Sequence, residues 1–157
     1  MTPPASGDVT VTTDGSCLGG AGQGPGGYAA LIVADGVERV VTGRAAAATI
    51  GAMELTAVIA ALETLPPGAA VTVRSDSRAV IDGITQRLPW WRSRRWRTLK
   101  GGKVADRDLW QRLASLAADR TVTWVWLKGH AGDPDNERAH ALAYAEARAA
   151  AEDRARG

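Results

Sequence analysis

The chain has 157 residues, 45% of them hydrophobic, with a formal net charge of +2 and a single cysteine, Cys17. That length can bury one core without disulfide staples, and a lone cysteine excludes an internal disulfide. No stretch approaches the roughly 18 uninterrupted apolar residues of a membrane-spanning helix, and no basic region followed by an apolar run opens the chain, so neither a membrane role nor a secretory signal is expected. A soluble, reducing, cytoplasmic setting is the expectation that follows. The charge is unevenly spread. Between Arg87 and Arg107 eight bases face one acid, a net +7, so the rest of the chain sums to −5. A basic patch suits a polyanion, and a surplus of acids elsewhere suits metal ions.

Residues 1–7, rich in Pro and small residues, read as a disordered leader, and residues 8–148 as one domain. Val9 to Thr13 alternates Val and Thr and reads as a strand that ends in Asp14-Gly15. Gly15 to Gly27 reads as loop. Tyr28 to Val33 is a second strand, Asp35-Gly36 a hairpin turn, and Val37 to Gly43 a third strand, so three antiparallel strands open the fold. Gly51 to Leu65 reads as a helix stopped by Pro66-Pro67-Gly68, with Leu55, Ile59 and Leu62 on its apolar stripe. Ala70 to Arg74 is a short strand, and a helix follows from Arg78 to about Arg87. Because a helical crossover precedes it, this strand is expected parallel to the first. Residues 88–103 form a basic, Trp-rich arm. A helix from Asp106 to Ala118 and a strand from Thr121 to Leu127 come next. Asp133-Pro134 then reads as N-cap and first residue of an Ala-rich helix to about Arg148, and residues 149–157 read as a frayed tail.

Four features carry chemistry. Asp14 at a strand end reads as an Asp-Gly turn or as a carboxylate projecting from a sheet rim where ligands bind. Glu54 shares a helical stripe with Val58, Ala61 and Leu65, so it faces inward and needs a partner: an arginine, or a cation. Asp76, in Ser75-Asp76-Ser77, reads as an N-cap or as a second acid at the same rim as Asp14. In the arm, Trp90, Trp91 and Trp96 alternate with arginines, a pattern that fits tryptophans packed on a neighbour or a protrusion that binds phosphates. The only histidines are His130, in a Gly-rich stretch, and His140, four residues from Asn136 and so on its helix face. Acids clustered at one rim repel one another unless cations neutralise them, and hard divalent ions, above all Mg2+, are the natural partners. Acids beside a basic aromatic arm point to metal-assisted phosphodiester hydrolysis.

Six segments in order, Thr13-Asp14-Gly15-Ser16-Cys17-Leu18-Gly19, Met53-Glu54-Leu55, Ser75-Asp76-Ser77, Gly83-Ile84-Thr85-Gln86, Asp108 to Leu113, and Lys128 to Gly132 continuing to Asn136-Glu137-Arg138, resemble bacterial type 1 ribonuclease H over about residues 8–147. The resemblance implies an α/β ribonuclease H-like fold, a five-stranded mixed sheet in order 3-2-1-4-5 with helices on both faces. It implies a monomeric endonuclease that cuts the RNA strand of RNA/DNA hybrids and leaves 3′-hydroxyl and 5′-phosphate ends. By the same resemblance Asp14, Glu54 and Asp76 are metal ligands for Mg2+, in a two-ion mechanism, or for Mn2+. His130 is then a proton shuttle or product-release aid. Candidate substrate contacts are Gly15, Ser16, Thr49 and Gly51, with Trp91, Arg92, Arg94, Arg95 and Trp96 on the arm that would grip the DNA strand.

The sequence also departs from that family. A fourth family carboxylate aligns with His140, which removes one negative charge and suits Mn2+ better than Mg2+, or leaves His140 a bystander. Polar substrate contacts expected before Glu54 are replaced by Ile50-Gly51-Ala52, and others by Ala47 and Trp90, so hybrid binding is expected to lean on the arm. Two other functions remain open at this point: a noncatalytic nucleic-acid-binding module that kept the fold, and a related nuclease or strand-transfer enzyme.

Overall fold

The computed structural model describes residues 9–19, 22–128 and 132–156. The strands β1 (Val9–Cys17), β2 (Gly24–Ala34), β3 (Val37–Ala48), β4 (Ala70–Ser75) and β5 (Thr121–Trp126) form one sheet in the order β3-β2-β1-β4-β5. The first three are antiparallel neighbours, while β4 runs parallel to β1 and β5 parallel to β4. This is the expected mixed sheet, and its parallel half follows from the crossover through α1 (Ile50–Glu63). The remaining helices are α2 (Arg78–Asp82), α3 (Leu88–Ser93), α4 (Arg107–Ala118) and α5 (Pro134–Arg156).

Side chains alternate along β1 and divide the molecule into two layers around the sheet. Val11 joins the core beneath α1 with Leu55, Val58, Leu62, Val73, Leu113 and Trp110. Thr12 and Asp14 face the other way, toward α5. That helix buries Ala139, Ala143, Ala147 and Ala150, spaced four, four and three residues apart. With only methyl groups on this face, α5 lies close against β1, β2 and β3. Among the described residues no helix is long and apolar enough to cross a membrane.

Three expectations need correction. Gly15 to Gly27 is not all loop: β1 continues through Cys17 and β2 begins at Gly24. Its glycines serve close approach. A Cβ at Gly27 would sit 2.3 Å from the Ala143 carbonyl oxygen, and one at Gly15 2.6 Å from the Glu54 backbone nitrogen. The tail expected at 149–157 is helix through Arg156, because Ala147 and Ala150 stay buried, Arg44 pairs with Asp153 at 3.1 Å, and Arg154 donates to the Ala46 carbonyl at 3.2 Å. Finally, the helix expected to end near Arg87 continues through a π turn, Gly83–Arg87, into α3, so the arm begins as helix. At that turn Gly83 leaves room for Trp110, whose ring would lie 2.2 Å from an added Cβ.

Backbone on backbone contact cannot relax as a side chain can. Gly27→Ala is therefore expected to destabilise the protein by about 3 kcal/mol or more. Gly51→Ala, whose new Cβ would meet only Asp106 Oδ2 at 3.7 Å, is expected to be neutral or stabilising. Denaturant unfolding of the two variants checks both.

Candidate active site

The last register pair between β1 and β4 is Thr13 with Ser75. Asp14 and Asp76 each follow directly, where β4 ends at Ser75 and β1 continues beside β2 alone. Local chemistry frees both carboxylates. At the start of α2 it is Ser77, not Asp76, that caps the helix: its Oγ accepts from the Val80 N–H at 3.2 Å. Ser75 Oγ accepts from the Ser77 N–H at 3.0 Å. The two serines take the capping work that Asp76 was a candidate for, and leave its side chain to the site. Asp14 keeps a trace of a turn, with Oδ1 accepting from the Gly15 N–H at 2.9 Å, yet lies within β1.

Glu54 reaches the same point from α1, whose N-cap is Thr49, its Oγ1 accepting from the Ala52 N–H at 3.1 Å. Because Gly15 has no side chain, α1 lies directly on β1 there, and Glu54 enters the gap. Carboxylate oxygens of Asp14, Glu54 and Asp76 all lie within 4.8 Å of one another. Asp14 is 3% exposed and Glu54 9%, while Asp76 is half-buried. Glu54 finds no arginine: its Oε2 is buried and has no hydrogen-bond partner. Burial, with the charges of Asp14 and Asp76, pushes the Glu54 carboxyl well above the usual carboxylate range. Asp14 is raised as well, by burial and by the Asp76 charge, partly offset by its bonds to His140 and to the Gly15 N–H.

The fourth side is α5. His140 Nδ1 stands 2.9 Å from Asp14 Oδ2, with half of its side chain open to solvent. One turn earlier, Asn136 is buried and its Nδ2 donates to Asp76 Oδ2 at 3.3 Å. The sequence shows Asn136 as part of a segment that resembles the family and as a neighbour of His140, but not its hold on Asp76. His130 lies outside the described residues. Asp14, Glu54, Asp76 and His140 thus come together. An orphaned buried carboxylate oxygen inside a set of three acids is what a divalent cation with oxygen ligands would satisfy, so the residues present fit such an ion.

In the arm, Arg92, Arg94 and Arg95 are exposed, as expected. Trp91 and Trp96 are half-buried against the core, with Trp91 5.1 Å from Trp110 and 6.1 Å from Trp96 between ring centroids. They brace the arm more than they present a stacking face, since the apolar side of α3 faces α4. The exposed ring is Trp90, and Arg94 lies 4.4 Å over it. A cleft of about 280 Å³ runs between the arm and the start of α1, lined by Gly51, Arg87, Trp91, Thr98 and Asp106 among others. Gly15 and Ser16 are buried in β1 beside the acids, and Thr49 and Gly51 open α1 at the cleft.

A family model described as RNase H matches residues 6–148. A ribonuclease H from Xanthomonas oryzae pv. oryzae (strain MAFF 311018) is 45% identical over 147 residues, covering 94% of this chain and 97% of that protein. One from Xanthomonas euvesicatoria pv. vesicatoria (strain 85-10) is 46% identical over 135 residues, covering 86% and 89%. Among solved structures, LC9-RNase H1, described as a type 1 RNase H with the type 2 active-site motif, superposes with a TM-score of 0.80 at 33% identity, covering 90% of this chain and 72% of that one.

The raised carboxyls give the metal-free protein a defined pH dependence. A carboxyl whose folded pKa exceeds its unfolded value binds protons more tightly in the folded state, so stability falls as pH rises from about 4 through the raised value. Glu54→Gln removes the largest such burden. In chelator, its melting temperature is expected to exceed wild type at pH 7 to 8, with the gap closing on acidification to about pH 4. Added Mn2+ should raise the melting temperature of wild type more than that of the variant.

Proposed function

The chain belongs to the RNase H family, and we propose that Asp14, Glu54 and Asp76 are the ligands with which it holds the divalent metal for its reaction. It is a ribonuclease H, an endonuclease that hydrolyses the RNA strand of RNA/DNA hybrids. The observation that carries the assignment of residues is the convergence of three carboxylates from β1, α1 and β4 within 4.8 Å. A noncatalytic binding module would gain nothing from acids that repel phosphates.

When bound there, a divalent ion would polarise the scissile phosphate and supply hydroxide at neutral pH, and two such ions would steady the attacking and leaving oxygens. The chain's own residues orient the site. Asp14 is held by the Gly15 N–H on one oxygen and faces His140 on the other, while Asn136 fixes Asp76 through Oδ2. Products with 3′-hydroxyl and 5′-phosphate ends follow from water attacking the phosphate with departure of the 3′ oxygen. The proposed fourth ligand is His140, which gives an Asp-Glu-Asp-His set with a bias toward Mn2+. His130 is proposed to move protons or aid product release, and the enzyme to act as a monomer. Gly15, Ser16, Thr49 and Gly51 are proposed to meet the hybrid beside the acids, and the arm to grip its DNA strand. Recognition would rest on 2′-hydroxyls of one strand and the backbone shape of the other.

Cleavage of a labelled RNA/DNA hybrid, with RNA duplex, DNA duplex and single-stranded RNA as controls, tests the reading in Mg2+ and in Mn2+. Hybrid-only cutting, lost in Asp14→Asn, is expected. His140→Ala should lower turnover, since a bystander would leave it unchanged. Activity in Mg2+ equal to or above that in Mn2+ at every concentration would reject the Mn2+ bias.

The arm makes a separate prediction. With Arg92, Arg94 and Arg95 all replaced by glutamine, KM for hybrid is expected to rise. The slope of log KM against log salt should become shallower by about two to three, roughly one per lost phosphate contact. An unchanged KM would remove the arm from substrate binding.

A further inference from the structure

Arg74 is a cation in β4, two residues before Asp76 and paired in register with Thr12, which itself lies two residues before Asp14. Its side chain, 21% exposed, extends across the α5 face of the sheet. Nη1 donates to Thr12 Oγ1 at 3.1 Å, and Nη2 to Asp133 Oδ2 in a close ion pair. Asp135 Oδ2 stands 3.9 Å from Nη1. Asp133 is the residue immediately before α5, and its other oxygen, Oδ1, accepts from the Asn136 N–H at 3.0 Å. One carboxylate therefore caps the helix with one oxygen and ties it to the sheet with the other. That double use, led by the Asn136 N–H and supported by Arg74, holds the Asp133 carboxyl below the usual carboxylate range.

We infer that Arg74 is a positioning residue of the active site, fixing the first turn of α5 to β1 and β4 so that Asn136 and His140 stand at their places against Asp76 and Asp14. The other described ties of this part of α5 to the sheet are the contacts of Asn136 and His140 themselves and an exposed ion pair from Arg138 to Glu38 at the far edge, on β3, so Arg74 is the anchor next to the acids. The inward face of α5 is alanine, whose methyl groups set how closely the helix lies on the sheet but grip its rotation and axial position weakly. A planar guanidinium bonded to the sheet and to the helix cap supplies a directional constraint instead. Asn136 and His140 lie three and seven residues beyond Asp133, so a small shift of that anchor is transmitted along a rigid helix to both contacts. Nothing in the arm or the cleft is involved, so the role concerns turnover and not hybrid affinity.

The kinetic arm of the test rests on the hybrid-cleaving reading above. The structural arm does not. In Arg74→Gln, kcat for hybrid cleavage is expected to fall about tenfold, the usual scale for a residue that orients metal ligands, with KM changed by less than about twofold. Arg74→Lys, which keeps the charge and loses the fork, should recover part of the loss. Asp133→Asn keeps a helix cap but not the charge, and should match Arg74→Gln. The double variant should be no worse than either single one, as for two residues acting through one contact. In the metal-free protein, amide exchange of Asn136 and Glu137 should quicken in Arg74→Gln while that of β1 and β4 is retained. Unchanged kcat, a rise in KM in place of the fall in kcat, or exchange quickened uniformly over the sheet would each overturn the inference. If wild type itself failed to cut hybrid, the functional reading would fall, and the exchange pattern would still decide whether Arg74 anchors α5.

Discussion

The contact on which the active end depends is the seating of α1 on β1 at Gly15, where any side chain would collide with the Glu54 backbone. It carries Glu54 into a gap already flanked by Asp14 and Asp76, because the β1 and β4 ladders end together at Thr13 and Ser75. Carboxylates this close would repel by roughly 3 kcal/mol per charged pair at an effective dielectric of about 20, before solvent screening. The fold does not relieve that repulsion with a guanidinium. It leaves a buried oxygen of Glu54 without a partner, and raises the proton affinity of both Glu54 and Asp14. Such an arrangement favours either a proton or a cation, and at neutral pH a divalent cation satisfies more of its oxygens.

The opposite face of the sheet reaches the same rim by other means. Alanines on α5 and Gly27 on β2 allow backbone to approach backbone, which brings a helix carrying Asn136 and His140 near enough to touch the acids. Small residues give proximity without direction. Direction comes from polar contacts at the two ends of the helix: Asp133 with Arg74 at the start, and Arg44 with Glu146 and Asp153 toward the end. The Arg44 pairs are solvent-exposed and contribute little to stability. The helix continues to Arg156, where composition alone suggested fraying, chiefly because Ala147 and Ala150 stay buried against the sheet, with these pairs beside them.

Much of this was legible in the sequence because strong local signals agreed with the fold. Period-2 Val and Thr marked β1, Pro66-Pro67-Gly68 ended α1 within two residues of its observed stop, and the stripe position of Glu54 placed it inward. The misreadings arise where long-range packing decides what a local signal leaves open. A glycine is ambiguous between a flexible link and a site of close approach, and only tertiary packing decides, so the strand ends around Gly15 and Gly24 to Gly27 read as loop from sequence. Likewise Trp91 and Trp96 alternate with arginines in sequence, but the fold turns Trp91 onto Trp110 and Trp96 onto Trp91, while the arginines stay exposed. Arg74 and Asn136 were invisible as site residues because their partners, Asp133 and Asp76, lie about sixty residues away.

The acids and the basic arm have opposite effects on a phosphate strand, and the cleft between the arm and α1 connects them. Gly51, which lines the cleft, is three residues from Glu54, so a strand that entered along Arg87 and the arm, as proposed, would be led toward three carboxylates. Without cations that approach is opposed. With cations held as proposed it would be favoured, because the same ions would neutralise the acids and attract the phosphate. Cation and substrate therefore stabilise one another's binding, and the coupling must be equal in both directions. With His140 where a fourth carboxylate could stand, the metal-free site carries one negative charge fewer. That lowers the repulsion a strand meets on entry and weakens the electrostatic hold on the cation by the same change. Under the proposed hybrid contacts, this would shift binding from the acids toward the arm, which carries the net charge of +7 between Arg87 and Arg107.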